Sequence, residues 1–536
     1  MSNANTHIIK RQVLDIHTAV TTHSHQLQND MRSFYYEKLL PLIEEACNQF
    51  DSGEVIRIDR LVIDLGEVSS KKMDDVFIRK FESKLQEQLS KALHVETQEN
   101  VGVSGPTVKR IAQSTSDLEL IASFLKTGIL PWWKKEISLI NLEAIFLEQL
   151  KKRPDEVKRF IASNSSNDIF LMRLQNQFSE KIMADILALF QSGKPDAERQ
   201  FSIKLVQFFR QTIKDAGVHG AVGNRIEVTM IRFVIEHAGK LPQEKDLFEY
   251  LMTAVKGTAG ISREDFSRTF FNATLFPSSK IKKEYDESFL ARLKEILSAS
   301  GFDSGLGKAY NQLLKKSSGA VEKTNAKEKN LTEKPAKKIK PIEKESLDIS
   351  SASEEKKADK FSKQVNAEKI EEVYVQNAGL VLLWNYLPFY FKHVGLLTEG
   401  NFINDEARQR AAHLLQYVAS GQSATPEFEM PLNKILCGIP LTETLEAGID
   451  LTEKEKTETE NMLQTVLDHW GALGKASSLA LRQSFLCRAG MLVNEDNSWM
   501  LRVEESGIDI LLNKIPWSYS IINFKWMEKP IYVSWR

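Results

Sequence analysis

Histidines and carboxylates near the amino end are the first residues that could bind a metal or transfer a proton. His23 and His25 would diverge by about 200° at a helix start, and with His17 they have no neighbouring cysteine to complete a tetrahedral site. We interpret the three histidines as a surface capping segment. Asp59 and Asp64 lie five positions apart on a predicted strand, so they point to opposite faces and do not pair for acid–base catalysis.

The nearest approach to a phosphate-binding loop is Gly307-Lys308. Phe302 stands where that loop needs its first glycine, and Ala309 replaces the Ser or Thr that would hold magnesium. The sequence contains neither the G-x-S-x-G motif of hydrolases nor the H-E-x-x-H motif of zinc proteases. It therefore predicts no catalytic, cofactor-binding or metal site, no small-molecule substrate and no enzymatic activity.

Tryptophans are the remaining candidates for function, as contacts with other proteins. Large aromatic side chains bury about 150–250 Å² each, so core anchoring is the favoured interpretation for each of them. Tryptophan is also enriched at the energetic centres of protein interfaces, and the pair after Pro131 is the leading exception to core anchoring. The candidates for protein contact are Trp132, Trp133, Trp517, Trp526 and Trp535.

Length and charge limit the classes to which the chain can belong. At about 100–200 residues per domain, 536 residues predict about three domains. The 71 basic and 72 acidic residues give a net charge of −1, which does not favour binding to nucleic acid or an acidic membrane. Three widely separated cysteines argue against a disulfide scaffold, and the amino end lacks a signal-peptide pattern. We therefore expect assembly in the cytoplasm.

The spacing of apolar residues divides the chain into folded segments and linkers. Residues 1–95 predict a small α+β module in the order strand, helix, strand, helix, with strands over residues 7–16 and 55–65. Residues 96–116 contain glycines and a proline and predict a linker. Residues 117–314 predict an all-helical domain whose helices end at glycine or proline.

The second half of the chain begins with a change in composition. Residues 315–369 consist largely of Lys, Glu, Ser and Ala, so they cannot bury enough apolar surface to fold and predict a flexible linker. Residues 370–536 predict an α+β domain with a helix capped by Thr452, a hairpin over residues 485–504 and two closing strands.

An apolar stretch within that domain, residues 378–397, is broken by polar residues and Pro388. A membrane span needs about 20 residues largely free of such interruptions. We therefore interpret the stretch as a buried helix pair and expect no stable membrane insertion. The predicted fold class is mainly α, with α+β modules at both ends.

Ten segments, in order along the chain, resemble the tape measure proteins of contractile injection systems. Those systems are phage-tail-like particles that drive an inner tube through a contracting sheath. The segments are HIIKRQVLDI (7–16), RIDRLVIDLGEV (57–68), FLKTGILPWW (124–133), NAGLVLL (377–383), RAAHLLQY (410–417), LNKILCGIPL (432–441), FLCR (485–488), SWMLRV (498–503), PWS (516–518) and KPIYVSW (529–535). The resemblance rests on their joint order; it does not cover residues 315–369 and is thin over 165–314.

The resemblance implies a structural component that sets the length of the inner tube during assembly, with inner-tube and baseplate proteins as partners. The alternative role is a baseplate or tube-end adaptor, or an assembly chaperone, of the same particle. Either role implies no cofactor. Either places the chain in the cytoplasm during assembly, or in a particle that is released or anchored at the cell envelope. Sustained heptads are absent, so the pattern itself does not predict a rod.

Overall fold

Two compact units, Met1–Arg159 and Phe160–Arg536, make up the chain in a computed structural model. The structure describes residues 7–17, 30–50, 54–67, 73–94, 108–134, 137–190, 279–299, 372–446 and 448–535, together with single positions between 201 and 277. The predicted linker 315–369 lies outside the described residues, as do His23, His25, Gly307 and Lys308. The boundaries of the five segments predicted from the sequence stay predictions.

The amino-terminal unit combines a two-stranded sheet with a helical core. Strand β1 (Val55–Ile58) pairs antiparallel with β2 (Val108–Ile111). The described helices of this unit are α1 (Leu40–Asn48), which follows a π-helical turn (Tyr35–Leu39), α2 (Met73–His94), α3 (Gln113–Thr127) and α4 (Leu139–Lys152). Apolar residues recur every three or four positions on α1 and α2, so each helix carries one apolar face. These faces meet in a core of Leu39, Ile43, Ala46, Phe77, Phe81, Leu85 and Leu89.

One strand predicted for this unit is wrong, and one observed strand was not predicted. Residues 7–16 form no strand and their side chains are exposed, whereas β2 lies inside the segment predicted as the linker 96–116. A strand is stable where a neighbouring strand completes its backbone hydrogen bonds. The neighbour of β1 is β2, and not residues 7–16. The β-branched composition of residues 7–16 is therefore a local preference that tertiary pairing overrides.

The described residues of the central region are helical, as predicted. They form α5 (Pro154–Ser163), α6 (Asp168–Gln177), α7 (Glu180–Phe190), α8 (Ser279–Glu284) and α9 (Glu287–Ala299). Ser138 and Asn167 cap α4 and α6, because their side-chain oxygens accept the otherwise unpaired N–H groups of Asn141 and Phe170. Gly128 ends α3 in the left-handed conformation, with φ 78°.

A five-stranded sheet organises residues 372–535, which we call the carboxyl-terminal region. Its strands are β3 (Glu372–Val375), β6 (Gly490–Asn494), β7 (Trp499–Val503), β8 (Ile521–Ile522) and β9 (Ile531–Ser534), in the order β3-β6-β7-β9-β8. Strands β7 and β9 run parallel, and the other pairs are antiparallel. A separate hairpin joins β4 (Leu397–Thr398) and β5 (Asn401–Phe402). The described helices are α10 (Leu387–His393), α11 (Asp405–Ser420), α12 (Pro431–Leu436), α13 (Glu453–His469) and α14 (Ser478–Leu481).

Several local predictions for this region are confirmed. Pro388 lies in the first turn of α10, after a 3₁₀ turn (Ala378–Leu383), so the apolar stretch is a helix pair. Thr452 caps α13 in a reciprocal capping box with Glu455. The hairpin begins later than predicted, at Gly490, because residues 482–486 form a π-helical turn. The mainly α fold class with α+β terminal modules is confirmed.

Candidate functional site

Trp132 and Trp133 lie in the turn that follows α3. Gly128 donates its N–H to the Phe124 carbonyl at 2.7 Å and reverses the chain, and Lys134 N–H closes the turn on the Pro131 carbonyl at 2.9 Å. The two indoles meet edge to face, with centroids 6.0 Å apart. Both side chains are half-buried, so part of each ring is open to solvent.

Arg57 on β1 links the strand to α3 and to this turn. Its guanidinium lies 4.2 Å from the centre of the Trp133 ring, pairs with Glu119 at 2.6 Å and donates to the Ser116 hydroxyl at 3.2 Å. A guanidinium over an indole face is attracted by the ring's quadrupole. One face of Trp133 is therefore already occupied by the chain's own Arg57.

The three candidate tryptophans of the carboxyl-terminal region each donate their indole N–H to a segment distant in sequence. Trp517 bonds the Leu382 carbonyl at 2.8 Å and Trp526 the Leu436 carbonyl at 2.9 Å. Trp535 bonds the Asp509 carboxylate at 3.2 Å. Trp535 is buried, while Trp517 and Trp526 are half-buried. These contacts give the three rings a packing role, and a second role in partner contact stays a prediction.

Three buried charges join α6 to the carboxyl-terminal region; we call Arg173, Glu427 and Lys434 the ionic cluster. Arg173 and Glu427 form a bidentate pair, with Nε to Oε2 at 3.0 Å and Nη2 to Oε1 at 3.1 Å, although they are 254 positions apart. Lys434 on α12 reaches the same carboxylate at 2.5 Å. The Arg173 and Glu427 side chains are 0% exposed and that of Lys434 is 2% exposed.

The ionic cluster holds two cations against one anion, so the surplus positive charge needs further acceptors. Backbone carbonyls supply them: Thr442 accepts from Arg173 at 2.6 Å, and Leu441 and Glu443 accept from Lys434 at 3.1 and 2.6 Å. Burial nevertheless lowers the pKa of Lys434, because removal from water disfavours its charged form.

Gln177, one turn after Arg173, adds two neutral hydrogen bonds to the same contact. Its Nε2 donates to the Leu445 carbonyl at 2.6 Å, and its Oε1 accepts the backbone N–H of Glu427 at 2.8 Å. The sequence pattern does not predict this contact. The available signal was Lys434 itself, a charge within an apolar run that must be paired once that run is buried.

Three of the segments that carry the family resemblance meet in a buried amide network. Asn377 donates to the Gln416 side-chain oxygen at 2.8 Å and to that of Asn433 at 2.6 Å. Asn433 in turn donates to the Ala412 carbonyl at 2.9 Å. The network ties the segment before the 3₁₀ turn to α11 and α12, so these segments share one core.

Two glycines of the same segments lie where backbones touch. A Cβ on Gly379 would stand 1.8 Å from the Phe485 carbonyl oxygen, and one on Gly438 would stand 2.0 Å from that of Trp526. Both distances are far inside van der Waals contact, so only glycine permits these approaches.

The residues tested for catalysis do not converge. Asp59 and Asp64 bind nearby backbone N–H groups, those of Arg60 and Gly66. Among the described residues, no group of three or more His, Cys, Asp or Glu side chains could hold a metal ion. Cys437 is buried, and burial raises the pKa of its thiol. No helix within the described ranges is long and apolar enough to cross a membrane.

Comparison with family models decides the identity of the chain. Residues 6–535 match the model of the contractile injection system tape measure protein, which is nearly the whole length. The chain belongs to this family. Neither the curated proteins nor the solved structures contain a match to it. Tape measure proteins are structural components of their particle, and the segments quoted above are, in this member, largely the packing elements of the carboxyl-terminal region.

Proposed function

We propose that the chain sets the length of the inner tube during particle assembly and that its contacts are with inner-tube and baseplate proteins. The observation that carries the proposal is the family match over residues 6–535. A chain of this length spans about 800 Å as a continuous helix at 1.5 Å per residue, a sensible scale for a ruler. It acts as a structural component and not as an enzyme.

A deletion series tests length measurement directly. Removing half of residues 315–369 should shorten the tube by about 40 Å if the segment is helical in the particle, and by about 90 Å if it is extended. Tube lengths measured by electron microscopy give the answer. A matched control keeps the length and replaces the same half by a scrambled sequence of equal composition. Unchanged lengths after the deletion count against measurement by this segment.

A tube-end adaptor or assembly chaperone is the second candidate function. The compact carboxyl-terminal region favours this function. Its aromatic rings and charged groups are largely engaged in internal contacts, so the region is a well-defined folded unit to which a partner protein can bind. Microscopy of particles from a strain lacking the protein separates the two. Variable or aborted tubes support the ruler, whereas tubes of normal length that lack a terminal feature support the adaptor.

Partner contact is proposed for Trp132 and Trp133, which are half-buried and lie together in one turn. Replacing Trp132 by Ala should weaken co-sedimentation with assembled inner tubes, since truncation of a central interface tryptophan commonly costs about 2 kcal/mol or more of binding energy. Trp499→Phe is the control, because Trp499 is buried and is not among the candidates for partner contact. Equal binding by Trp132→Ala and the unaltered protein would contradict the contact.

A further inference from the structure

The ionic cluster closes a loop in the chain. Arg173 and Glu427 are in hydrogen-bond contact although 254 positions separate them. While that contact is made, the two ends of the segment 174–426 are held next to each other. The segment therefore adds nothing to the distance between the chain ends. A ruler whose reach includes the residues between α6 and β3 therefore requires the contact to separate.

The polar chemistry of the contact makes it easier to separate α6 from the carboxyl-terminal region. On the α6 side, Arg173 and Gln177 meet the Glu427 carboxylate, backbone carbonyls and the backbone N–H of Glu427. Charges that leave such a site regain their hydration, so a buried ion pair is close to break-even, unlike an apolar contact of the same area. Its bidentate geometry still makes the closed arrangement specific.

Chain entropy acts in the same direction. Closing a loop reduces the conformational freedom of all the residues within it, and the loss grows with loop length. The stretch from the end of α6 at Gln177 to the start of β3 at Glu372 is long, so its closure costs more conformational entropy than closure of a short loop. The cluster thus offers a specific closed state that is opposed by hydration and by chain entropy.

Resting on the proposed length-setting function, we infer that the ionic cluster is a latch. It holds residues 174–426 in a closed loop in the free chain, and it opens when the chain takes its place in the growing tube. Residues 178–371, between the end of α6 and the start of β3, then add to the reach of the ruler, whereas residues 372–426 stay within the carboxyl-terminal region.

A reversible cross-link tests the latch in the full chain. Ser179 and Glu446 are exposed and lie two residues and one residue beyond the hydrogen-bonded pair Gln177 and Leu445. In a chain carrying Ser179→Cys and Glu446→Cys, with Cys47 and Cys487 replaced by Ser, a disulfide-containing bis-maleimide locks the latch. The cross-linked chain should give shorter tubes, and reduction before assembly should restore the length of the uncross-linked chain. Tubes of unchanged length from cross-linked chain would overturn the latch.

Two insertions of one segment separate failure of the latch from failure of the ruler. A second copy of residues 315–369 is placed inside the loop, after Lys369, or outside it, after Val101. Without the cross-link both insertions should lengthen tubes equally; with it, only the outside insertion should. If the outside insertion lengthens tubes and the inside one never does, the cluster stays closed and the latch is wrong. If neither insertion changes tube length, the proposed function itself fails.

Discussion

The amino-terminal unit and the carboxyl-terminal region are stabilised by different kinds of buried contact. The first buries an apolar core between α1 and α2 and keeps its ion pairs at the surface, as in the Lys84, Glu87 and Lys91 contacts. The second buries charges and amides, including the ionic cluster and the Asn377 network, and brings backbones together at Gly379 and Gly438.

This difference indicates which substitutions each region tolerates. Apolar cores accept other residues of similar volume, whereas a buried polar group deprived of its partner carries its full desolvation cost. A backbone contact at glycine accepts no side chain at all. We therefore expect single substitutions to have different effects in the two regions, and four predictions test this.

Gly379→Ala should have the largest effect. Its new Cβ would stand 1.8 Å from the Phe485 carbonyl oxygen, a backbone atom that cannot rotate away. We expect a loss of about 4 kcal/mol or more in the free energy of unfolding of the carboxyl-terminal region, measured by urea titration. Gly507→Ala is the control, because a Cβ there meets nothing within 4 Å. Equal stability of the two variants would refute the close packing.

Glu427→Gln comes next, because it leaves Arg173 and Lys434 buried without an anion. Breaking such a cluster from one side costs about 3–5 kcal/mol. Arg173→Met should cost less, since Glu427 keeps Lys434 as its partner. Denaturant unfolding ranks the two variants, with Lys456→Gln in the surface pair with Glu453 as a control that should change little. The reverse ranking would mean that the anion is not the centre of the cluster.

His413 should make the carboxyl-terminal region less stable in acid. Burial, together with the cations Arg410 and Lys434, lowers its pKa to about 4 from 6.5. The unfolded chain therefore binds a proton between pH 6.5 and 4 that the folded chain excludes, so stability falls as the pH drops through this window and levels off below it. At about 1.4 kcal/mol per pKa unit the loss is about 3 kcal/mol.

Unfolding of His413→Asn between pH 7 and 4 measures that contribution by difference. The variant should lose less stability than the unaltered protein across the same window, because its side chain does not titrate there. If the free energies of unfolding of the two proteins change with pH in the same way, the pKa of His413 is not lowered in the folded state and the prediction is wrong.

Val13→Ser should have the smallest effect. The side chain is 69% exposed on the amino-terminal segment that forms no strand, so we expect a change within about 0.5 kcal/mol in thermal unfolding. A loss above about 1 kcal/mol would place residues 7–16 in the packed core and remove the contrast between the two regions.

Prediction from the sequence succeeded where the signal was local. The capping box at Thr452, the break before Pro388 and the turn between β6 and β7 depend on residues a few positions apart. It failed where a partner had to be chosen: residues 7–16 have strand composition and no strand, while Val108–Ile111 pairs with Val55–Ile58. Pairing depends on which segments fold against each other, and local composition does not carry that information.

The family, the mainly α fold class and local features such as the cap of α13 follow from the sequence, because the order of segments, the apolar periodicity and the capping residues depend on residues that are close together in the chain. The contacts of Arg173 with Glu427 and of Asn377 with Gln416 and Asn433 can be read only from the folded chain. Such contacts form because polar groups that become buried need hydrogen-bond partners, and in the folded chain those partners come from distant segments. For a chain whose proposed task is to measure length, that closure decides how much of the chain is free to extend.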